Sequence, residues 1–358
     1  MTLDIRDWRK IDAPWLSAAL ARRGIDAKVK DFTTRPVGTG QIGDCVRFTL
    51  TYDSAPADAP TTLVGKFPAD GEASRATGVA LWNYYREVKF YNELQATARI
   101  ATPTCYFADV DEESHDFVLI MGDLSPAEQG DQLAGVTLDQ AKLVAAESAK
   151  LNAAYWNDDS LNERPWVMET ENAPQSVPPE MFPVVWDQFV ERYGDRVSDA
   201  ARHIGKHLST SMEAYGELRH GGPRALIHAD FRPDNMMFAS DKGGAPITVV
   251  DWQCFAYGPP AADLGYFVAG ALTAEERRTH GDEIIALYKA ELARQGVADY
   301  ADDMLQKHYV IGAYQLFLTA YFAAVMVTQT ERGDNMFFRM LNGGVDLITD
   351  HGAEDWLA

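Results

Sequence analysis

Between Val46 and Tyr52 the chain alternates, with Val46, Phe48, Leu50 and Tyr52 apolar and Arg47, Thr49 and Thr51 polar, which is the period of a half-buried strand. A polar, Pro-bearing turn from Ser54 to Pro60 separates it from a second strand predicted over Thr61–Phe67. Leu81, Tyr84, Val88 and Tyr91 then recur at helical spacing and predict one helix with a buried stripe. The run Phe117–Met121 reads as a buried strand, and Thr137 with Gln140 as a capping box opening a helix that runs to about Trp156. Ile247–Val250 is a further short strand. His308–Thr330 contains no Asp, Glu, Lys or Arg and is long enough to span a bilayer, but Gly312, Gln315, Thr319 and several Tyr make it a buried central helix instead. Strands come early and helices late, so the expected class is α+β with two lobes. Residues 1–121 form a small lobe with an antiparallel sheet plus one helix, and residues 122–358 a larger, mainly helical lobe.

The candidate chemistry sharpens this picture. His228, Asp230 and Asn235 stand at the spacing H-x-D-x-x-x-x-N, and the strand that follows ends in Asp251. That order matches the catalytic loop and metal-binding strand of kinase-type phosphoryl transfer. Such a reaction needs an acceptor hydroxyl held in line with the γ-phosphate of ATP and neutralisation of developing charge. Asp230 is the candidate to orient the hydroxyl, and Asn235 and Asp251 supply the hard oxygen ligands that suit Mg²⁺. Arg232 is placed to touch the transferring group, and His228 to brace the loop.

Upstream, Gly38, Gly40 and Gly43 form a G-x-G-x-x-G, a pattern shared by dinucleotide folds and kinase glycine-rich loops. A dinucleotide fingerprint must open a helix, whereas this one leads into a strand, which argues against an NAD-dependent oxidoreductase. Lys66 ends the next strand, where a kinase holds the α- and β-phosphates, and Glu87 is its preferred partner over Glu93 on the same helix. Met121 and the exit Gly122-Asp123-Leu124 are expected to form the hinge on which adenine docks through backbone groups.

The combination of Lys66, Glu87, His228-Ala-Asp230, Asn235 and Val250-Asp251 resembles the aminoglycoside phosphotransferase and choline kinase superfamily, and Glu87-Val-Lys-Phe-Tyr91 resembles its ecdysteroid-kinase-like branch. The resemblance runs from about residue 30 to about residue 330. It implies a two-lobed protein-kinase-like fold, ATP and Mg²⁺ as cofactors, and phosphorylation of a small-molecule hydroxyl. Two departures stand out. Val46 arrives one residue later than the pattern after the last loop glycine, and Asn152 stands where many relatives carry a His, a position with a bearing on substrate. Asp251-Trp-Gln is followed closely by Asp263-Leu-Gly, which leaves little room for the activation segment of a protein kinase, and Asp263 reads as a helix cap.

Composition narrows the partners. Among 358 residues, 53 acidic against 32 basic give a net charge of −21, which excludes the basic footprint of a nucleic-acid binder. An acidic cleft would suit a cationic acceptor, although the same charge serves solubility. The three cysteines, Cys45, Cys105 and Cys254, lack ligand spacing and read as reduced thiols. The charged, amphipathic N-terminus is unlike a secretory signal, so a cytoplasmic protein without membrane contact is expected. The Pro-rich, acidic stretch 157–183 reads as an insertion, open between a substrate lid and a surface excursion. The motifs leave the acceptor open among amino sugars, amino alcohols, sugars and steroid-like alcohols, and they leave the oligomeric state open. A non-catalytic nucleotide-binding module with the same fold is the competing reading.

Overall fold

The computed structural model of the chain describes residues 3–38, 42–170, 173 and 177–358, so Gly40 of the glycine loop lies outside the described residues. In chain order, α1 (Ala13–Ala21) precedes β1 (Lys28–Val37), β2 (Gly43–Ser54) and β3 (Thr62–Pro68). Next come α2 (Glu72–Ala80), α3 (Asn83–Lys89), β4 (Cys105–Val110) and β5 (Phe117–Gly122). The five strands form one antiparallel sheet in the order β1-β2-β3-β5-β4.

The apolar run at β5 is continuous because both faces of the sheet are covered. Phe117, Leu119 and Met121 pack with Tyr84 and Val88 of α3, while Val118 and Ile120 share a second core with Trp15, Leu16 and Leu20 of α1. The expectation of one helix in this region is therefore corrected to three α-helices among the described residues. Helix α1 was not separable by pattern, and it is fixed at its start by Asp12, whose carboxylate accepts from the Trp15 amide at 2.8 Å. The helical stripe from Leu81 is also broken. Trp82 adopts a left-handed φ of 59°, which ends α2 and restarts the chain as α3, continued by a π turn over Phe90–Leu94.

The larger part contains β6 (Glu128–Gln129), α4 (Leu138–Ala154), α5 (Met181–Tyr193), α6 (Asp199–Thr210), α7 (Met212–His220) and β7 (Ala225–Ile227). These are followed by β8 (Met236–Ser240), β9 (Gly243–Val249), β10 (Ala256–Gly258), α8 (Ala262–Ala271), α9 (Ala274–Arg294), α10 (Asp302–Met326) and α11 (Glu331–Asp350). The capping box of α4 forms as its residues predict, with Gln140 N donating to Thr137 Oγ1 at 3.2 Å and Thr137 N to Gln140 Oε1 at 2.9 Å. Helix α10 is long and apolar enough to cross a membrane, yet 61% of its apolar window is buried against α8, α11 and α5, as a central core helix requires.

Three glycines let these helices meet backbone to backbone. A Cβ at Gly265 would strike the Tyr309 carbonyl, one at Gly312 the Ala262 carbonyl, and one at Gly343 the Ala269 carbonyl. Within 157–183, Leu161, Trp166 and Val167 are buried and Met168 bridges to Ala256, whereas residues 178–181 are exposed.

Candidate active site

A cavity of about 960 Å³ lies between the sheet and the helical part. Its floor is the loop that leaves β7. Asp263, 1% exposed, holds that loop by accepting the His228 amide at 2.6 Å and the Ala229 amide at 2.9 Å. Asp263 is thus structural but not the cap expected of it. It sits inside the first turn of α8, whose capping position Ala261 makes no side-chain bond, and its carboxylate turns to the loop instead. Burial pushes the Asp263 carboxyl up to about 6 against the opposing pull of His228 and the two amides. Ala229 takes a left-handed φ of 65°, a strained conformation for a residue with a Cβ, and the two bonded amides hold it there.

Asp230 faces the cavity with both oxygens engaged. Tyr266 Oη donates to Oδ1 at 2.9 Å, while Asn235 Nδ2 at 2.8 Å and Arg232 Nε at 3.1 Å donate to Oδ2. Burial alone would raise this carboxyl, but the charge of Arg232, helped by His228 and the Tyr266 hydroxyl, holds it below the usual carboxylate range. Asn235 Nδ2 also donates to the Asp230 carbonyl at 2.9 Å, which leaves its Oδ1 as the remaining acceptor. Arg232 is divided between Asp230 and Asp234, with Nη1 2.6 Å from Asp234 Oδ2. His228, grouped by its spacing with the catalytic residues, is fully buried, and its Nε2 lies 3.0 Å from the Val250 carbonyl. It braces the loop against the end of β9 and does not line the cavity.

At the other wall Lys66 Nζ lies 2.7 Å from Glu87 Oε2 and 3.1 Å from Asp251 Oδ1. Burial works against the ammonium, but Asp251 and Glu87 outweigh it and hold Lys66 well above its ordinary value. Glu93 is occupied elsewhere, 3.2 Å from Lys89. Asp251 has a left-handed φ of 66°, which turns its carboxylate out of β9 into the cavity. The next residue, Trp252, stacks on Phe90 at 3.8 Å and 3°. Gly38, at φ 74°, and Gly43 line the same wall, and a Cβ at Gly43 would lie 3.4 Å from Lys66 Cε.

Met121 and Asp123 line the cavity where the hinge was expected, but the Asp123 carboxylate is committed. Arg47 grips it through Nε at 2.6 Å and Nη2 at 2.8 Å, and the Ser125 amide donates to it at 3.0 Å. Arg47 escaped the sequence reading because its alternation marked it only as the outer face of a strand. Cys45 and Cys254 also line the cavity, their thiols pushed up by burial to about 11 and about 12, so both stay protonated at neutral pH. Among the described residues no group of three or more His, Cys, Asp and Glu is arranged to hold a metal ion.

The far end of the cavity mixes apolar side chains, Met168, Met212, Leu318, Met336, Phe337 and Met340, with the polar Tyr215, His220, Thr319 and Arg332. Its carboxylates are already paired: Glu169 with Arg219 at 2.6 Å and 3.0 Å, and Asp234 with Arg232. Arg219 also donates to Gln315 Oε1 at 2.9 Å, and Gln315 Nε2 donates to the Ala229 carbonyl at 2.8 Å, next to Asp230. Apart from Arg232 with Asp234, these contacts have no local sequence signal, because their residues come from different helices or loops. Asn152 does not reach this end. It is fully buried, donating to the Leu226 carbonyl at 2.9 Å and accepting from Tyr288 Oη at 2.8 Å.

The profile of the ecdysteroid kinase-like family matches residues 39–298. No curated protein matches the chain by sequence. Among solved structures, the chain is similar to a candidate aminoglycoside phosphotransferase of Ralstonia eutropha, at TM-score 0.52 and 14% identity over 95% of this chain and 98% of that one. It is similar to Plasmodium vivax ethanolamine kinase at TM-score 0.51 and 12% identity, over 88% of this chain and 83% of that one. A microcompartment-associated aminopropanol kinase matches at TM-score 0.51 and 14% identity, over 97% and 99% of the two chains. At these identities the likeness is one of fold.

Proposed function

The chain belongs to the ecdysteroid kinase-like family, and from that premise we propose that it transfers the γ-phosphate of ATP to a hydroxyl of a small molecule with a largely apolar, neutral body. The observation that carries the reading is the convergence of Lys66, Asp230, Asn235 and Asp251 on one cavity, with Glu87 behind Lys66. Asp230, held ionised and oriented by Tyr266, Asn235 and Arg232, accepts the hydrogen bond of the acceptor hydroxyl and takes its proton as the new bond forms. Lys66 clamps the phosphates, and the segment Met121–Asp123 receives adenine through its backbone, at the boundary we place between lobes 1–121 and 122–358.

Mg²⁺ fits the donors present. Asn235 Oδ1 and the Asp251 carboxylate are hard oxygens on the same cavity, and the lack of a larger acidic cluster among the described residues suits an ion that one or two carboxylates share with substrate phosphates. When bound there it would neutralise charge on those phosphates. The acceptor class follows from the far end. A cationic amino sugar calls for free carboxylates, whereas Glu169 and Asp234 are neutralised by arginines, and beside the polar Tyr215, His220, Gln315, Thr319 and Arg332 the wall carries methionine, leucine and phenylalanine.

The test is Mg²⁺-dependent phosphate transfer from ATP across a panel that spans steroid-like alcohols, sugars, amino alcohols and amino sugars, read by product mass with Asp230→Asn as control. A phosphoryl mass gain on apolar alcohols, lost in the control, supports the proposal. Transfer confined to amino sugars overturns the acceptor class. Nucleotide binding without transfer to any compound favours the non-catalytic module.

A further inference from the structure

Nothing in the spacing of the catalytic segments calls for a particular residue at position 253, yet Gln253 is 5% exposed and both ends of its amide are engaged in α3. Nε2 donates to Glu87 Oε2 at 3.1 Å, and Oε1 accepts from Asn83 Nδ2 at 3.3 Å. Asn83 and Glu87 are four residues apart, so one face of α3 carries both contacts. Chemistry fixes the amide's orientation: an ionised Glu87 can only accept, so the NH₂ group must face it and the oxygen falls to Asn83. Glu87 is 1% exposed, and burial raises its carboxyl against the pull of Lys66. A buried carboxylate keeps its charge only where donors surround it, and here Lys66 and Gln253 are those donors.

We infer that Gln253 is a positioning residue for phosphate binding, clamping Glu87 behind Lys66 and locking α3 to the Asp251 segment. The inference rests on the nucleotide-site reading above. Through this clamp the Lys66 ammonium and the Asp251 carboxylate present one fixed arrangement to the nucleotide phosphates. No common substitute does both jobs. Glutamate has no donor, leucine has neither group, and asparagine is one methylene too short to span the helical turn.

Calorimetric titration of ADP and of adenosine, each with Mg²⁺, into the full chain separates this role from simple packing, because adenosine carries no phosphate. Gln253→Leu should weaken ADP about tenfold and leave adenosine within about twofold, the loss expected for one hydrogen bond to a charged group. Gln253→Glu sets a second carboxylate against Glu87. It should weaken ADP at least as much as Gln253→Leu and leave adenosine within about twofold. Asn83→Ala cuts only the outer contact and should cost about threefold, which keeps the test decisive if Gln253→Leu does not fold. Equal losses for both ligands, or ADP binding unchanged in the variants, overturns the inference alone. A wild-type protein that binds neither ligand overturns the nucleotide-site reading and this inference with it.

Discussion

The two ends of the cleft are built in opposite ways. At the phosphate end each charged group is held by another from a distant part of the chain: Lys66 from β3, Glu87 from α3 and Asp251 after β9 meet within 3.1 Å. At the acceptor end the charges are likewise paired, Glu169 with Arg219 and Asp234 with Arg232, but methionines line the wall beside them. Methionine is flexible and polarisable and adapts to irregular shapes, whereas buried ion pairs tolerate no such freedom. The contrast teaches that the constant part of the proposed reaction is served by fixed charge and the variable part by fillable volume.

Variants that break the fixed end should have the largest effect. Asp230→Asn should lower phosphate transfer by about 10³-fold, within the range of a lost general base, with the melting temperature little changed. Lys66→Met should lower kcat/KM by about 10²-fold, and it should also cost about 3 kcal/mol in urea unfolding, because Glu87 is left buried without its cation. If the protein keeps its stability after that change, the pair is not the rigid element described.

The loop shared by both ends gives a pH test. The folded-state carboxyl of Asp263 is raised to about 6 from an ordinary value of 3.8. The folded protein therefore binds this proton more tightly than the unfolded chain, so the contribution is present below about pH 4 and is lost as the pH rises through about 6. Wild type should lose up to about 3 kcal/mol across that window relative to Asp263→Asn, measured by urea unfolding at each pH.

At the adaptable end the changes should be smaller and selective. Phe337→Ala should raise the acceptor KM about tenfold while ADP affinity stays constant, as removal of one large apolar contact allows. Gln315→Glu keeps a partner for Arg219 but loses the donor to the Ala229 carbonyl, so turnover should fall about fivefold without a fall in acceptor affinity. An equal loss in ADP affinity in either variant would erase the distinction between the two ends.

The sequence disclosed these ends unequally for the same physical reason. The spacing from His228 to Asn235 and the acid at Asp251 follow from chemistry done within one loop and one strand end, so local order suffices to find them. Lys66 and Glu87 were legible through a strand and a helical stripe. What local pattern could not show was where a side chain turns. Asp263 looks like any acid at a helix start, yet it reaches back to His228 and Ala229, and Asn152 spends its amide inside the core. The left-handed turn at Trp82 carries neither Gly nor Pro, so nothing announces that the stripe is cut there. Met168, Arg219, Gln315 and Phe337 meet only because α7, α10 and α11 pack around the cleft, and no window of sequence contains more than one of them.

The bare contacts at Gly265, Gly312 and Gly343 bear on how this protein can change over generations. Where backbones touch, there is no side chain to trade for a smaller one, so these positions have no neutral neighbours in sequence space and even alanine forces the helices apart. The apolar wall, carried in part on two of those helices through Leu318, Met336, Phe337 and Met340, accepts exchange at modest cost. A lineage selected for new acceptors should record its history around the cleft and remain silent at the three glycines, which makes the immobile scaffold the condition for a versatile pocket.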